Sequence, residues 1–240
     1  MSLATHRVVV IGGASGMGLA TARQAASAGA SVTITSTDPG RLSAALASLP
    51  DGVDGVVVDL REPATVATLV EHTGVIDHLV ITAGDAVAPS PVRTTPVDAL
   101  RGLFEVRFWG AVTAVQHAAA HLAPRGSITL TSGTIGVRPG PGSAVAAAGA
   151  AAIEGLVRGL AVELAPVRVN GVRPGVVRTP MWDAIPGPQR DALFDTLAAR
   201  TLTGAVGTAE QIAAGHLYLM ENDFVTGTIL TVDGGALVAA

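Results

Sequence analysis

The stretch Val8–Ala20, "VVVIGGASGMGLA", decides the fold that this sequence predicts. Apolar residues suited to a buried strand end at a glycine-rich turn, and a helical pattern begins near Gly16. With Gly12 and Gly18, the turn has the spacing G-x-x-x-G-x-G. Gly12 allows a tight turn, Gly16 lets the backbone approach a pyrophosphate, and the helix N-terminus offers N–H groups and a positive dipole. Ser15 adds a hydroxyl, so the stretch predicts nucleotide binding, with a ligand-free structural turn as the alternative.

Outward from this turn, apolar runs of strand length alternate with longer helical patterns. Continuous Val, Ile and Leu strands joined by helices are typical of a parallel sheet covered on both faces. With right-handed crossovers, the pattern predicts an α/β fold: one doubly wound, Rossmann-like domain over residues 1–240. The predicted strands include Arg7–Ile11, Ser31–Thr35, Gly55–Leu60, His78–Gly84 and Ser127–Ser132, and the predicted helices span about Gly16–Ala28, Pro39–Leu49, Pro63–His72, Pro96–His121, Gly142–Leu164 and Ala209–Met220.

Composition excludes several classes of protein. Hydrophobic residues make up 49% of the 240 residues, which argues against disorder. The net charge of −4 and the absence of a basic run argue against a nucleic-acid partner. The longest stretch without a charged side chain, Phe108–Pro124, is short for a membrane span. With no Cys and no signal-peptide pattern, we expect a soluble cytoplasmic protein without a membrane partner.

The end of the second strand bears on the choice of nucleotide. An acidic residue directly after this strand would bind the ribose 2′-hydroxyl and select NAD(H). Ser36 and Thr37 stand there instead, leave room for a 2′-phosphate and bring Arg41 within reach. Asp38 opposes that argument unless it caps the next helix. The sequence therefore favours NADP(H) over NAD(H).

With these features the chain resembles the short-chain dehydrogenase/reductase family along almost its whole length. The motifs are "GGASGMG", "VVDL", "ITAG", "GSITLTS", "VRVNGVRPGVVRTP" and "VTGTILTVDGG", in that order. The resemblance implies that "VVDL" lies by the adenine, "ITAG" by the ribose and "PGVVRT" at the nicotinamide. Taken together, the glycine turn, the end of the second strand and the family resemblance predict a set of cofactor contacts. These are Gly12, Ser15, Gly16, Met17, Gly18, Ser36, Thr37, Asp59, Leu60, Ala83, Gly84, Pro174, Gly175, Val177 and Thr179.

The departures from the family lie where its chemistry takes place. Arg107 stands where the family usually has Asn, whereas Ser132 matches the family Ser. The family Tyr and Lys align with Ala146 and Ala150. No shift of the alignment restores them, because the chain contains no Lys and its one Tyr is Tyr218, near the C-terminus.

The missing pair changes the expected chemistry. In the family, Tyr gives a proton to a carbonyl oxygen, and Lys lowers the Tyr pKa toward neutrality. Such acid–base catalysis is worth roughly 10²–10⁴-fold, so plain ketone reduction should be impaired. Ser132 could donate one hydrogen bond to an oxyanion, or be a strand-end Ser bonded to backbone. Arg107 could stabilise a carboxylate or an enolate, or form a structural salt bridge with Glu105 or a neighbouring chain.

We therefore expect an atypical NAD(P)(H)-dependent oxidoreductase that acts on a conjugated C=C or an imine of a small apolar molecule. The alternatives are a nucleotide-binding sensor or subunit without turnover, and a non-redox enzyme such as a cyclase, dehydratase or isomerase. The resemblance implies a substrate lid at about residues 180–205, with apolar Met181, Trp182 and Phe194, and a homodimer or homotetramer. No metal site is expected, since His117 and His121 lack a third ligand.

Overall fold

A parallel sheet of seven strands forms the centre of the computed structural model, which describes residues 3–84 and 89–239. Its strand order is β3-β2-β1-β4-β5-β6-β9, and every neighbouring pair is parallel. A separate pair of two-residue strands, β7 and β8, lies outside it. The strands are β1 (Arg7–Ile11), β2 (Ser31–Ser36), β3 (Asp54–Val57), β4 (Ile76–Ile81), β5 (Leu122–Thr131), β6 (Arg168–Pro174), β7 (Val177–Arg178), β8 (Gly207–Thr208) and β9 (Ile229–Val232).

Helices cover both faces of the sheet. They are α1 (Gly16–Ser27), α2 (Pro39–Ala47), α3 (Pro63–Thr73), α4 (Val97–Gly102), α5 (Ala111–Ala118), α6 (Ala144–Glu163), α7 (Gly187–Ala198) and α8 (Ala209–Glu221). Because side chains alternate along a strand, Val8 and Val10 of β1 pack with α1, α2 and α8, whereas Val9 and Ile11 pack with α3, α5 and α6. The predicted doubly wound α/β fold is confirmed.

The predicted helix Pro96–His121 is broken into several pieces. After α4 the chain forms a π-helical turn over Glu105–Gly110, then α5, then a 3₁₀ turn over Ala119–His121. A side chain at Gly110 would place its Cβ 2.7 Å from Leu60 Cβ, so this turn lies close against the chain that follows β3. π-Helical turns inside helices often occur at functional sites, and this one contains Arg107.

Two predicted strands end earlier than the sequence suggested. Strand β3 pairs only with β2 and ends where β2 ends, with Val57 opposite Ser36. Strand β4 ends at Ile81 because Thr82 turns back toward β1. The Thr82 hydroxyl lies 3.2 Å from the carbonyl oxygens of both Ile11 and Gly12, to which it can donate. Both boundaries depend on a neighbouring strand rather than on local sequence.

Within the described part of the chain, α6 is long and apolar enough to cross a membrane by length and composition alone. In the fold it is a core helix, because Ala147, Ala150, Ile153 and Val157 are buried against the sheet. Packing therefore explains the apolar character of the side of α6 that faces the sheet.

A buried histidine joins the first helix to the last. The Thr21 hydroxyl of α1 donates to the carbonyl oxygen of Met17 at 2.8 Å, so its oxygen accepts from Nδ1 of His216 on α8, also at 2.8 Å. Nε2 of His216 is buried and has no hydrogen-bond partner among the described residues. Protonation would place a second N–H⁺ there, and burial accordingly lowers the His216 pKa to about 4.

Because His216 is buried in its neutral form, we expect the folded protein to lose stability in acid. Its pKa is lower in the folded protein than in the unfolded chain, so the folded state binds fewer protons, and stability present above about pH 6.5 is lost as the pH falls toward about 4. His216→Gln should remove up to about 3 kcal/mol of that pH dependence in urea unfolding between pH 7 and pH 4. His121→Gln is the control, and parallel curves for wild type and His216→Gln would contradict the prediction.

Candidate active site

A cavity of about 1100 Å³ opens at the carboxyl ends of the strands. Its walls come from the chain that follows β1, β2, β3, β4, β5 and β6. The strand order reverses between β1 and β4, which is where doubly wound sheets bind their ligands. The fold therefore places the candidate site at this edge.

The glycine turn forms the floor of the cavity through close backbone contacts. Gly12 has φ +85°, and a Cβ there would lie 2.7 Å from the Ala83 nitrogen. A Cβ on Gly18 would lie only 2.2 Å from the Gly12 oxygen, so α1 approaches the turn more closely than any other residue type would allow. Gly16, with φ +51°, faces Thr179 across the cavity, 3.2 Å from where its Cβ would stand.

The N-terminus of α1 is available to a ligand. Ser15 occupies the N-cap position, but its side chain makes no capping hydrogen bond. The first helical bond runs from the Leu19 nitrogen to the Ser15 oxygen, which leaves the preceding amides without helical acceptors. Ser15, Gly16, Met17 and Gly18 all line the cavity. These amides and the helix dipole fit a pyrophosphate, as the sequence predicted.

Two arginines flank the end of the cavity near β2. Ser36, Thr37 and Arg41 lie on its wall, and Arg61 lies there too, a residue that sequence reasoning missed. Asp38 is not among the residues that line the cavity, because it caps α2 by accepting from the Arg41 nitrogen at 2.9 Å. That backbone hydrogen bond lowers the Asp38 pKa.

The Arg61 side chain is held by its neighbour Asp59. Arg61 donates to Asp59 Oδ1 from Nε at 3.0 Å and to Oδ2 from Nη2 at 3.1 Å. The hydrogen bonds from Arg61 lower the Asp59 pKa and keep this carboxylate ionised. The only sequence signal for Arg61 was its position directly after "VVDL".

At the opposite end, the predicted nicotinamide contacts line the same cavity. Gly175 lies so close to the C-terminal segment that a Cβ would be 2.8 Å from Asp233 Cα. The structure thus brings every predicted cofactor residue to the lining of one cavity, including Asp59, Leu60, Ala83, Gly84, Pro174, Gly175, Val177 and Thr179.

The predicted chemical residues lie on this wall as well. Ser132, Arg107, Ala146 and Ala150 all line the cavity. The guanidinium of Arg107 lies against the backbone of Gly84, where a Cβ would be 2.6 Å from Nη2. The cavity therefore has a fixed cation and two methyl side chains at the end where the family's proton donor is expected.

Ser132 belongs to a buried network that sequence reasoning missed. Its hydroxyl lies 2.8 Å from Glu154 Oε1 and 3.2 Å from the Ala150 oxygen. Arg173 donates to Glu154 from Nε at 2.7 Å and from Nη2 at 2.6 Å. Burial alone would raise the Glu154 pKa, but the hydrogen bonds from Arg173 and Ser132 outweigh it and hold the pKa below its usual value.

Other candidate side chains have structural roles. Tyr218 lies on α8, is half-exposed and receives a hydrogen bond from Asn222 rather than lining the cavity. Of the three apolar residues predicted for the lid, Met181 and Trp182 line the cavity. Phe194 does not; it is buried and packs edge-on against Trp182, with their ring centroids 6.0 Å apart. Across residues 3–84 and 89–239, no three His, Cys, Asp or Glu side chains cluster to hold a metal ion.

Comparison with known proteins gives the family. A family model described as "Enoyl-(Acyl carrier protein) reductase" matches residues 12–236. The short-chain dehydrogenase/reductase ucsE of Acremonium sp is 36% identical over 97% of this chain and 95% of its own. The chain belongs to the short-chain dehydrogenase/reductase family.

Solved structures of other family members agree with this short-chain dehydrogenase/reductase fold. The MalC reductase/Diels-Alderase from Malbranchea aurantiaca has a TM-score of 0.93 at 31% identity, with 98% of each chain covered. A small-chain dehydrogenase solved in complex with NADPH has a TM-score of 0.82 at 33% identity, covering 98% of this chain and 100% of its own. Both likenesses extend over the whole domain rather than over the glycine turn alone.

The role of the glycine turn of this short-chain dehydrogenase/reductase in nucleotide binding can be tested by substitution. We expect the protein to bind NADPH or NADH, and Gly16→Val to weaken binding about 10-fold or more, because the side chain would enter the space between the turn and Thr179. Gly52→Val is the matched control, since Gly52 also has positive φ but has no atom within 4 Å of its Cβ position and lies outside the cavity lining. Calorimetry that finds no binding of either nucleotide at millimolar concentration would overturn the assignment.

Proposed function

We propose that this protein is a cytoplasmic NADP(H)-dependent reductase that acts on a conjugated C=C or an imine of a small apolar molecule, not on a plain ketone. One observation carries the proposal. The same cavity contains an intact glycine turn and, at its other end, Ala146 and Ala150 beside Arg107 and Ser132. The site keeps what holds a dinucleotide and has methyl groups where the family has its Tyr and Lys.

The residues present suit the cofactor. The amides at the start of α1 would bind the pyrophosphate, Asp59 and Leu60 would flank the adenine, and Ala83 and Gly84 would pack on the ribose. The segment Pro174–Thr179 would hold the nicotinamide, which supplies a hydride when the reduced cofactor is bound.

Preference for NADP(H) follows from charge. Ser36 and Thr37 put no carboxylate directly after β2, and Asp38 is engaged as the cap of α2. Arg41 and Arg61 lie on the adjacent wall. Asp59 offsets much of the charge of Arg61 through their two hydrogen bonds, so Arg41 supplies most of the positive charge that would favour a 2′-phosphate over a 2′-hydroxyl.

Arg107 explains why a conjugated substrate suits the site better than a ketone. Reduction of a ketone needs a proton on the oxygen as it becomes an alkoxide, and neither Ala146 nor Ala150 can supply one. Hydride addition to a conjugated C=C places charge on a more distant oxygen as an enolate, which a cation stabilises without transferring a proton. The α-carbon of the enolate then takes its proton from solvent water, which completes the reduction. The guanidinium stays protonated at neutral pH, so Arg107 acts by charge and hydrogen bonding rather than as an acid.

The segment of residues 180–205 covers the cavity as a lid in this proposal. Met181 and Trp182 present apolar surface to the substrate, while Phe194 anchors α7 beneath the Arg178 guanidinium, whose Cζ lies 4.3 Å from the ring centroid. The Trp182 indole nitrogen donates to the Val177 oxygen at 3.0 Å, which holds the ring at the cavity mouth. Met181 and Trp182 therefore give the substrate region an apolar side, opposite polar residues that include Arg107, Ser132 and Thr134.

Turnover assays test the reductase function directly. With NADPH, we expect consumption of enones or cyclic imines and little or none of simple ketones, followed by nucleotide absorbance. Binding of NADPH without turnover of any of the three classes would favour the sensor or subunit alternative instead.

Restoring Tyr and Lys tests the hypothesis that Ala146 and Ala150 occupy the positions of the family's catalytic pair. Ala146→Tyr with Ala150→Lys should raise ketone reduction, by as much as roughly 10²–10⁴-fold, because Tyr would supply the proton and Lys would lower its pKa from about 10. Ala146→Phe with Ala150→Met is the matched control, since it adds similar bulk without either polar group. Both pairs should lose roughly 1–3 kcal/mol of stability, because Ala150 is 2% exposed. Brisk ketone turnover by the unmodified protein would falsify the interpretation.

The exposed face of α6 supports a homodimer or homotetramer. Every third or fourth residue along this face is small or apolar, and added side chains at Gly155 and Gly159 would meet no atom of the same chain. Small residues on one helical face let a second helix approach closely. The face consists of Ala144, Ala148, Ala151, Gly155, Gly159 and Val162.

Gly155→Arg should therefore dissociate the assembly, because its side chain would project into the partner helix while leaving the monomer unstrained. Sedimentation velocity at tens of micromolar should give a dimer or tetramer mass for wild type and for the control Gly140→Arg, whose site is also open. A monomer mass for wild type would refute the proposal.

A further inference from the structure

Ser132 has one hydroxyl proton and two acceptors close to it. Glu154 Oε1 lies 2.8 Å away and the Ala150 carbonyl oxygen 3.2 Å away. A carbonyl oxygen only accepts hydrogen bonds, and an ionised carboxylate also only accepts. Neither neighbour can donate to Ser132, so the hydroxyl proton is directed into the protein, toward α6.

The contacts of Glu154 with Arg173 favour its ionised form. Arg173 grips it with two N–H donors, at 2.7 Å and 2.6 Å, in the bidentate arrangement typical of strong charge-assisted pairs. The two side chains are 11% and 17% exposed, so solvent screens the pair weakly. Arg173 also donates from Nη1 to Thr231 Oγ1 on β9 at 3.0 Å, which fixes the guanidinium from the far side.

Ser132 nevertheless lines the cavity, beside Gly133 and Thr134. Because its proton is engaged by acceptors of α6, its hydroxyl can offer a ligand lone pairs but no hydrogen. We propose that Ser132 accepts a hydrogen bond from the substrate instead of donating one, and that Glu154 is the positioning residue that sets this direction. The chemical class selected is a ligand that carries an N–H or O–H beside Ser132.

This inference rests on the proposed function, since it assumes that the substrate lies in this cavity beside the nucleotide. In this arrangement the two polar residues make opposite kinds of hydrogen bond to the substrate. Arg107 offers only donors, whereas Ser132 offers an acceptor. A substrate that satisfies both has an acceptor group and a hydrogen-bearing group. A bare ketone, enone or cyclic imine leaves the Ser132 oxygen without a partner, so the preferred substrate carries an N–H or O–H in addition to the double bond that is reduced.

A matched pair of ligands tests the direction of the hydrogen bond. The probes 1,2,3,4-tetrahydroquinoline and chroman have the same bicyclic shape, are largely neutral at pH 7.5 and are already reduced, but only the first carries an N–H. Each is titrated calorimetrically into protein saturated with NADPH, after NADPH binding has itself been measured. We expect tetrahydroquinoline to bind about 3- to 10-fold more tightly, the worth of one neutral hydrogen bond.

Variants separate a directional effect from a structural one. Ser132→Ala should reduce tetrahydroquinoline to the affinity of chroman. Glu154→Gln should also bring the ratio of the two affinities near one, because an amide nitrogen can donate to Ser132 and release its proton to the cavity. In the Ser132→Ala background, Glu154→Gln should leave the ratio unchanged. Glu163→Gln makes the same charge change at the exposed end of α6 and should keep the wild-type ratio.

The outcomes are distinct. Equal affinities, tighter binding of chroman, or no binding of either probe overturns the inference, as does a preference that survives Ser132→Ala. A preference lost in Ser132→Ala but unchanged in Glu154→Gln overturns the role of Glu154. Failure to bind NADPH contradicts the proposed function instead, and the same probe titration without nucleotide then still decides the direction of the hydrogen bond.

Discussion

The close approach of α1 to the first turn is the constraint on which the rest of the structure depends. A Cβ at Gly18 would lie 2.2 Å from the Gly12 oxygen, and one at Gly12 would lie 2.7 Å from the Ala83 nitrogen. Only because both are absent can the start of α1 sit over the ends of β1 and β4, where the strand order reverses. Its amides then face a cavity to which the ends of six strands contribute walls.

The other end of that cavity combines fixed charges with small side chains. Arg107 lies on a π-helical turn against Gly84, and the Arg173–Glu154 pair lies behind Ser132. In the function that we propose, these groups hold their charge at neutral pH and so orient and stabilise the substrate without moving a proton. The buried ion pair also aligns α6 with β6, so a change at Glu154 acts on the site and on the packing of the core helix together.

Much of the fold and of the cofactor end could be predicted because the signals are local. Each of these signals lies in residues that are close together in the sequence: the glycine spacing, the apolar runs of the strands, and the helix cap at Asp38. The long helix predicted over Pro96–His121 is wrong in detail, since a π-helical turn interrupts it where Gly110 lies against Leu60, a residue far away in sequence. The pair β7 and β8 was missed because two-residue strands show no periodicity.

The sequence by itself determined the family, the nucleotide turn and the absence of Lys, because each of these can be read from residue identity and order. It also predicted Ser132 and Arg107 as polar residues of the reacting end, and both line the cavity. Only the tertiary structure decided what those residues can do. Glu154 comes from a helix and Arg173 from a strand 19 residues later, and they meet behind Ser132 because α6 packs across β6. The direction of a hydroxyl proton depends on which acceptors lie within about 3 Å in space, and no spacing along the chain encodes that.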